Sequence, residues 1–191
     1  MRWSRNDGMT DLFFLEKNKA AEDEVSRLEP LMRPYRKRRD SWDYRSASAL
    51  IYKAFTRYGI DLDEYREDES GRPYIASGQA DFSVSHSGRF TCVAITNDPG
   101  KSIGIDIEDR ERTGKRDIPG ISRRFFKEDE AEAVAEAADK ERKFLRIWTM
   151  KEAMMKAERI PLHQAFKKCA DSPIYVENVN YIMCIEIYSR T

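Results

Sequence analysis

With 191 residues, the chain is long enough for one sizeable domain or two small lobes around a substantial core. Its 34 Lys+Arg against 34 Asp+Glu give a formal net charge of +0, which argues against a protein that works mainly by coating nucleic acid or an anionic membrane. Charged residues make up 36%, but the 11% aromatic content is too high for a disordered chain. No apolar stretch approaches the roughly 20 residues that span a bilayer, and MRWSRNDGMTDLFF lacks the apolar core of a secretory signal. A cytoplasmic protein is therefore expected. Cys92, Cys169 and Cys184 are odd in number, far apart and outside any CxxC, so neither a disulfide scaffold nor a zinc site is expected.

In chain order, Leu12–Asn18 reads as a short strand. A charged helical pattern then runs from Lys19 to about Asp40, broken by Pro30 and Pro34 and ending in the basic run RPYRKRR, Arg33–Arg39. A better helix follows from Ser41, its N-cap, to about Tyr58, with Gly59 closing it. Asp61–Pro73 is an acidic connection ending in a Gly-Arg-Pro turn. Strands are predicted at Asp81–Ser85, Phe90–Thr96 and Ser102–Glu108, with a tight turn at Asn97–Lys101. Helical signals return at ISRRFF and across Lys127–Ile160, as one long helix or two. The tail offers the strands IYVENV and YIMCIEIY. Helix followed by strands in each half points to an α+β fold of two similar lobes, residues 1–100 and 101–191.

Alternation on a strand puts Asp106 and Glu108 of GIDIE on one face and Ile103, Ile105 and Ile107 on the other. Two carboxylates projecting together suit a hard divalent cation such as Mg²⁺; a wet polar strand face is the plainer explanation. In WTMKEAMMKA, Trp148, Glu152 and Lys156 share a helical stripe, and Phe144 and Met155 make its surroundings apolar. Glu152 and Lys156 fit an ordinary i,i+4 salt bridge, but an acid and a lysine on an apolar stripe need a partner or a ligand. SVSHSG lacks the GxSxG elbow of hydrolases; His86 among small polar residues suits a phosphate or is simply a satisfied histidine. Arg33, Arg36, Lys37, Arg45 and Arg72 offer guanidinium and ammonium groups for phosphate, or a solvated surface. No Walker or Rossmann glycine loop is present.

Taken in order, GRP at Gly71–Pro73, FSVSHS at Phe82–Ser87, GIDIE at Gly104–Glu108, RRFF at Arg123–Phe126 and WTMKEAMMKA at Trp148–Ala157 resemble the 4′-phosphopantetheinyl transferases of the Sfp type. The resemblance runs from about residue 30 to about residue 160. It implies an α+β fold in two similar lobes with the active site in the cleft between them. It implies transfer of 4′-phosphopantetheine from coenzyme A to a serine of an apo acyl or peptidyl carrier protein, with release of 3′,5′-ADP. Carried over, Asp106, Glu108 and Glu152 are the Mg²⁺ ligands; Glu152 also accepts the serine proton, directly or through water, and Lys156 holds phosphate oxygens. Arg72 and Pro73 border the adenine, and Ser85, His86, Arg45 and Arg33 hold the 3′-phosphate. RPYRKRR is a candidate docking surface for the acidic carrier. The chain departs from the family in having Arg72 in place of the lysine of GKP and Glu158–Leu162 in place of a glycine-rich segment. Two other readings are a non-catalytic module that binds coenzyme A or a carrier protein, and a Mg²⁺-dependent nuclease. The second lacks the lysine expected after Glu108.

Overall fold

The structure, a computed structural model, describes residues 2–5, 8–36, 40–69, 71–170 and 172–190. Lys37 and the end of the basic run therefore lie outside the described residues. Strands β1 (Arg2–Arg5) and β2 (Gly8–Glu16) lead into helices α1 (Lys19–Met32) and α2 (Trp42–Tyr58). Strands β3 (Tyr65–Glu67), β4 (Pro73–Ile75), β5 (Asp81–Ser87), β6 (Phe90–Thr96) and β7 (Lys101–Asp109) follow. Helices α3 (Ile118–Phe125), α4 (Glu128–Glu136), α5 (Lys140–Glu158) and α6 (Leu162–Ala165) precede β8 (Ile174–Glu177) and β9 (Tyr181–Ser189).

Local chemistry accounts for most of these boundaries. The Ser41 hydroxyl accepts the Tyr44 amide at the start of α2, and Gly59 ends it in the left-handed conformation, φ 62°. Pro30 does not break α1. It sits in the last turn, and the chain tightens into a 3₁₀ turn only at Arg33–Tyr35, where Pro34 stands at the first positions. The stretch Lys127–Ile160 is two helices: α5 restarts where the Asp139 carboxylate accepts the Arg142 amide. The acidic connection Asp61–Pro73 holds a small hairpin, β3 against β4, that the sequence reading lacks. Each strand has only three residues, too few to show alternation, but Tyr65 and Ile75 anchor it in the core.

Besides the β3–β4 hairpin, the described residues form two larger antiparallel sheets, β1-β2-β6-β5 and β7-β9-β8. Each is built from a strand, then helices, then a hairpin whose last strand lies between the other two: β2-β6-β5 and β7-β9-β8. The elements stack in four layers. Helices α1 and α2 pack Val25, Met32, Leu50 and Phe55 on Val93 and Ile95 of the first sheet. The other face of that sheet sets Phe90, Cys92 and Ala94 against Ile103, Ile105 and Ile107 of β7 and Met183 and Ile185 of β9. Beyond the second sheet, α3 to α6 gather Phe126, Phe144 and Phe166 with Ile182. No helix among the described residues is long and apolar enough to cross a membrane.

Candidate functional site

The site begins with a seam between strands that share no ladder. Strand β7 gives one edge to β9, which leaves the amides of Ile103, Ile105 and Ile107 facing β5. Side chains of β5 satisfy all three: Asp81 Oδ2 accepts Ile103 N at 2.9 Å, Ser83 Oγ accepts Ile105 N at 3.1 Å and Ser85 Oγ accepts Ile107 N at 3.3 Å. Each pair is 22 residues apart, so the two strands run parallel. FSVSHS thus alternates by function: Phe82 and Val84 enter the first core, while Asp81, Ser83, Ser85 and Ser87 stitch the seam.

The even-numbered face of β7 is not a wet strand face; α5 covers it. A Cβ on Gly104 would stand 1.9 Å from the Ala153 carbonyl oxygen and 2.6 Å from the Ala157 nitrogen. Only glycine on the strand, facing the alanines of KEAMMKA, permits this approach. Ser102 Oγ donates to the Ala157 carbonyl at 2.7 Å and locks the register of helix on strand. In consequence Asp106 is only 3% exposed and lies beneath Glu152 and Lys156.

Lys156 Nζ donates to Asp106 Oδ1 at 2.8 Å, the Ile105 carbonyl at 2.9 Å and Ser85 Oγ at 3.2 Å. Ser85 Oγ donates to the same Asp106 oxygen at 2.7 Å. Burial works to lower the proton affinity of Lys156, but the charges of Asp106 and Glu152 outweigh it and hold the ammonium above its ordinary value. Asp106 Oδ2 is buried and has no hydrogen-bond partner among the described residues. Burial first, then the charge of Asp106, push the Glu152 carboxyl up to about 7, against the pull of Lys156. When Glu152 is ionised, it and Asp106 carry two negative charges against the one positive charge of Lys156, which fits a hard divalent cation.

Glu108, whose charge also raises the proton affinity of Glu152, has partners of its own. Arg116 grips both of its oxygens at 3.0 and 3.1 Å, and Ser87 Oγ donates at 2.9 Å. Among the described residues, no group of three His, Cys, Asp or Glu side chains is arranged to hold a metal ion. Of the three carboxylates implied by the resemblance, Asp106 and Glu152 lie together with Lys156, while Arg116 and Ser87 hold Glu108.

Beside this cluster lies a pocket of about 430 Å³, lined by Arg72, Pro73, Phe82, Lys156, Arg159 and neighbouring residues. It brings together three of the expected coenzyme contacts, Arg72, Pro73 and Lys156. The others lie apart from its lining. Ser85 is committed to the seam. His86, on the opposite face of β5, sits 3.5 Å from Asp43 of α2. Arg45 donates to Ser26 of α1 at 3.1 Å, and Arg33 makes a two-pronged pair with Glu29 at 2.8 and 2.9 Å. Sequence reasoning missed Arg116 and Arg159, which lie in non-periodic segments, and Lys151. Lys151 carries charge at a fully buried helix position, where it pairs with Glu130 at 2.6 Å and donates to the carbonyls of Phe166 and Lys168.

The carboxylate–lysine cluster falls within the stretch that matches a family model, that of the 4′-phosphopantetheinyl transferase superfamily, over residues 102–182. The chain is 33% identical over 115 residues to the 4′-phosphopantetheinyl transferase Sfp of Bacillus subtilis (strain 168), covering 57% of this chain and 48% of that protein. It is 36% identical over 104 residues to a 4′-phosphopantetheinyl transferase of Bacillus subtilis, covering 52% and 43%. A third relative, the 4′-phosphopantetheinyl transferase ffp of Bacillus subtilis, is 33% identical over 97 residues, covering 49% and 40%. The chain spans about half the length of the curated relatives it matches.

Proposed function

We propose that this chain transfers the 4′-phosphopantetheine group of coenzyme A to a serine hydroxyl of an apo carrier protein. The two sheets, each with its helices, are the two lobes, meeting near residue 100, and the pocket beside Lys156 is part of the cleft between them. The observation that carries the reading is the convergence of GIDIE and WTMKEAMMKA: Asp106, Glu152 and Lys156 meet in a buried cluster at the pocket wall. The names of the relatives support the same reaction class.

In the reaction, the serine oxygen bonds to the phosphorus next to pantetheine, and the bond from that phosphorus to the bridging oxygen breaks. The electron pair leaves with 3′,5′-ADP. Glu152 takes the serine proton, directly or through water; burial and the charge of Asp106 raise its proton affinity, which suits it to accept a proton. Lys156 keeps a fixed positive charge beside the pocket without reorganising as phosphoryl charge develops. Asp106 and Glu152 would hold Mg²⁺, joined by Glu108 once Arg116 releases it. When bound, the ion supplies charge neutralisation to the pyrophosphate. Arg72 and Pro73 border the adenine side of the pocket.

Incubation of an apo carrier protein with this chain, coenzyme A and Mg²⁺, followed by intact-protein mass spectrometry, tests the proposal. The expected result is a mass gain of one phosphopantetheine group, absent with EDTA and with Asp106→Ala. No gain across several carriers, with coenzyme A still bound, overturns the transferase in favour of a non-catalytic module.

A further inference from the structure

Around Asp81 the chain gathers more positive charge than the pocket's own carboxylates balance. Arg159 donates to Asp81 Oδ1 at 2.9 Å and Arg190 forms an ion pair with the same oxygen at 3.1 Å, while Oδ2 is committed to the Ile103 amide. Arg72 Nη2 is buried and has no hydrogen-bond partner among the described residues. Such an orphaned donor calls for an acceptor that the chain does not supply. Burial pulls this guanidinium below its ordinary proton affinity; Arg159 and Arg190 add to the effect, and Asp81 and Asp68 oppose it. Three cations thus face two carboxylates, Asp81 and Asp68.

Arg159 adds a second, independent signal. It is the one non-glycine residue with positive φ among the described residues, at 56°, where it caps α5. A side chain in this conformation costs on the order of 1 kcal/mol, which glycine avoids. The strain falls at the pocket wall, and it delivers a guanidinium into the lining beside Arg72.

We propose that Arg72 and Arg159, backed by Arg190, form an oxyanion subsite that holds a phosphate group of the nucleotide bound in this pocket. The subsite rests on the coenzyme A reading for the molecule that carries the phosphate, but not for its affinity toward phosphate itself. Asp81 serves as the placeholder: it keeps Arg159 and Arg190 aimed at the pocket, and Arg72 supplies the open donor. Guanidinium groups present paired donors to phosphate oxygens, which an ammonium at the same place would not.

Titration calorimetry without divalent metal tests this, using 3′,5′-ADP, inorganic phosphate and adenosine as probes. Arg159→Gly is expected to weaken 3′,5′-ADP about tenfold, the loss of one charge-assisted hydrogen bond, and to leave adenosine unchanged. The same variant is expected to melt within a few degrees of the wild type, because relief of the left-handed strain offsets the lost ion pair with Asp81, which keeps Arg190. Arg190→Gln, at an exposed position that removal does not strain, is expected to weaken the bisphosphate in the same direction. A purely structural Arg159 would give the opposite pattern, a lower melting temperature with unchanged ligand affinity, and would overturn the subsite. Wild-type protein that binds neither 3′,5′-ADP nor phosphate, or an equal loss of adenosine affinity, overturns it too. Arginine-dependent phosphate binding without carrier modification would sink the transferase reading alone. Normal carrier modification with an unchanged KM for coenzyme A in Arg159→Gly would sink the subsite alone.

Discussion

The seam between β5, β7 and α5 and the basic face of the first helices carry equally suggestive residues, yet the structure treats them in opposite ways. At the seam the backbone sets the demands, and the residues there answer them: Gly104 under Ala153, Ser83 and Ser85 on open amides, Lys156 on a carbonyl. Just past α1 and on α2, Arg33 and Arg45 are long side chains at the ends of flexible stems, and they find whatever acceptor is in reach, Glu29 and Ser26. Backbone-level constraint brings site residues together; a run of like charge does not.

The sharpest way to break that contrast is Gly104→Ala. The added methyl would overlap the Ala153 carbonyl and the Ala157 nitrogen, backbone atoms that no rotamer change moves. The cost is expected at or above the upper end of the about 1–3 kcal/mol typical of overpacking, a fall in melting temperature of about 10 °C or outright failure to fold. Gly100→Ala is the comparison: its φ is 72° but nothing lies within 4 Å of the new methyl, so about 1 kcal/mol is expected. Equal losses in the two variants, read by thermal denaturation, would remove the close approach of β7 to α5 as the organiser of the site.

Legibility in the sequence follows the same division. Strand alternation placed Asp106 with Glu108 and the three isoleucines opposite, and helical spacing placed Glu152 one turn from Lys156; both periodicities survive folding. The burial of the carboxylate face was not legible, because alternation says which residues share a face and not what covers it. Nor was the role of Ser85, whose hydroxyl serves an amide on a strand 22 residues away. Arg116, Arg159 and Arg190 escaped for a common reason. Their positions are set by a 3₁₀ segment, a left-handed cap and the end of β9, none of which has a period. Both sheets repeat one connection pattern without a sequence repeat, since topology depends on where strands occur and not on which residues build them.

Arg116 sharpens the comparison from the metal side. It is a surface-derived arginine that reaches into the seam and neutralises Glu108, the carboxylate that the resemblance assigns to Mg²⁺. A divalent ion that uses Glu108 must displace it. Arg116→Gln is therefore expected to tighten Mg²⁺ binding about fivefold, the equivalent of releasing a competing ion pair of about 1 kcal/mol. Calorimetry at pH 8 is suitable, because Glu152, pushed up to about 7, is then mostly ionised and proton competition is small. The sign follows from that raised value: Mg²⁺ affinity should grow as pH rises through 7 and fade below it. Weaker Mg²⁺ binding in the variant would mean that Arg116 helps to shape the site instead of blocking it.

The smallest expected effect belongs to Arg33, and it separates the two regions most directly. The resemblance gives Arg33 to the 3′-phosphate of coenzyme A, whereas the structure gives it to Glu29, which is buried at 2% exposure while Arg33 itself is half exposed. If the arginine serves the glutamate, its loss leaves a carboxylate without its cation in a poorly hydrated place, and the protein should pay in stability. Arg33→Ala is then expected to lower the melting temperature by a few degrees with no change in the dissociation constant for coenzyme A. Glu29→Gln in the same chain should restore most of the loss, because a neutral amide needs no guanidinium. A phosphate contact predicts the reverse: weaker coenzyme A binding, unchanged melting, and no rescue by the second substitution. That reverse pattern would place the basic face of α1 in the site after all, and long-range electrostatics, not backbone contact, would then decide which arginines reach the ligand.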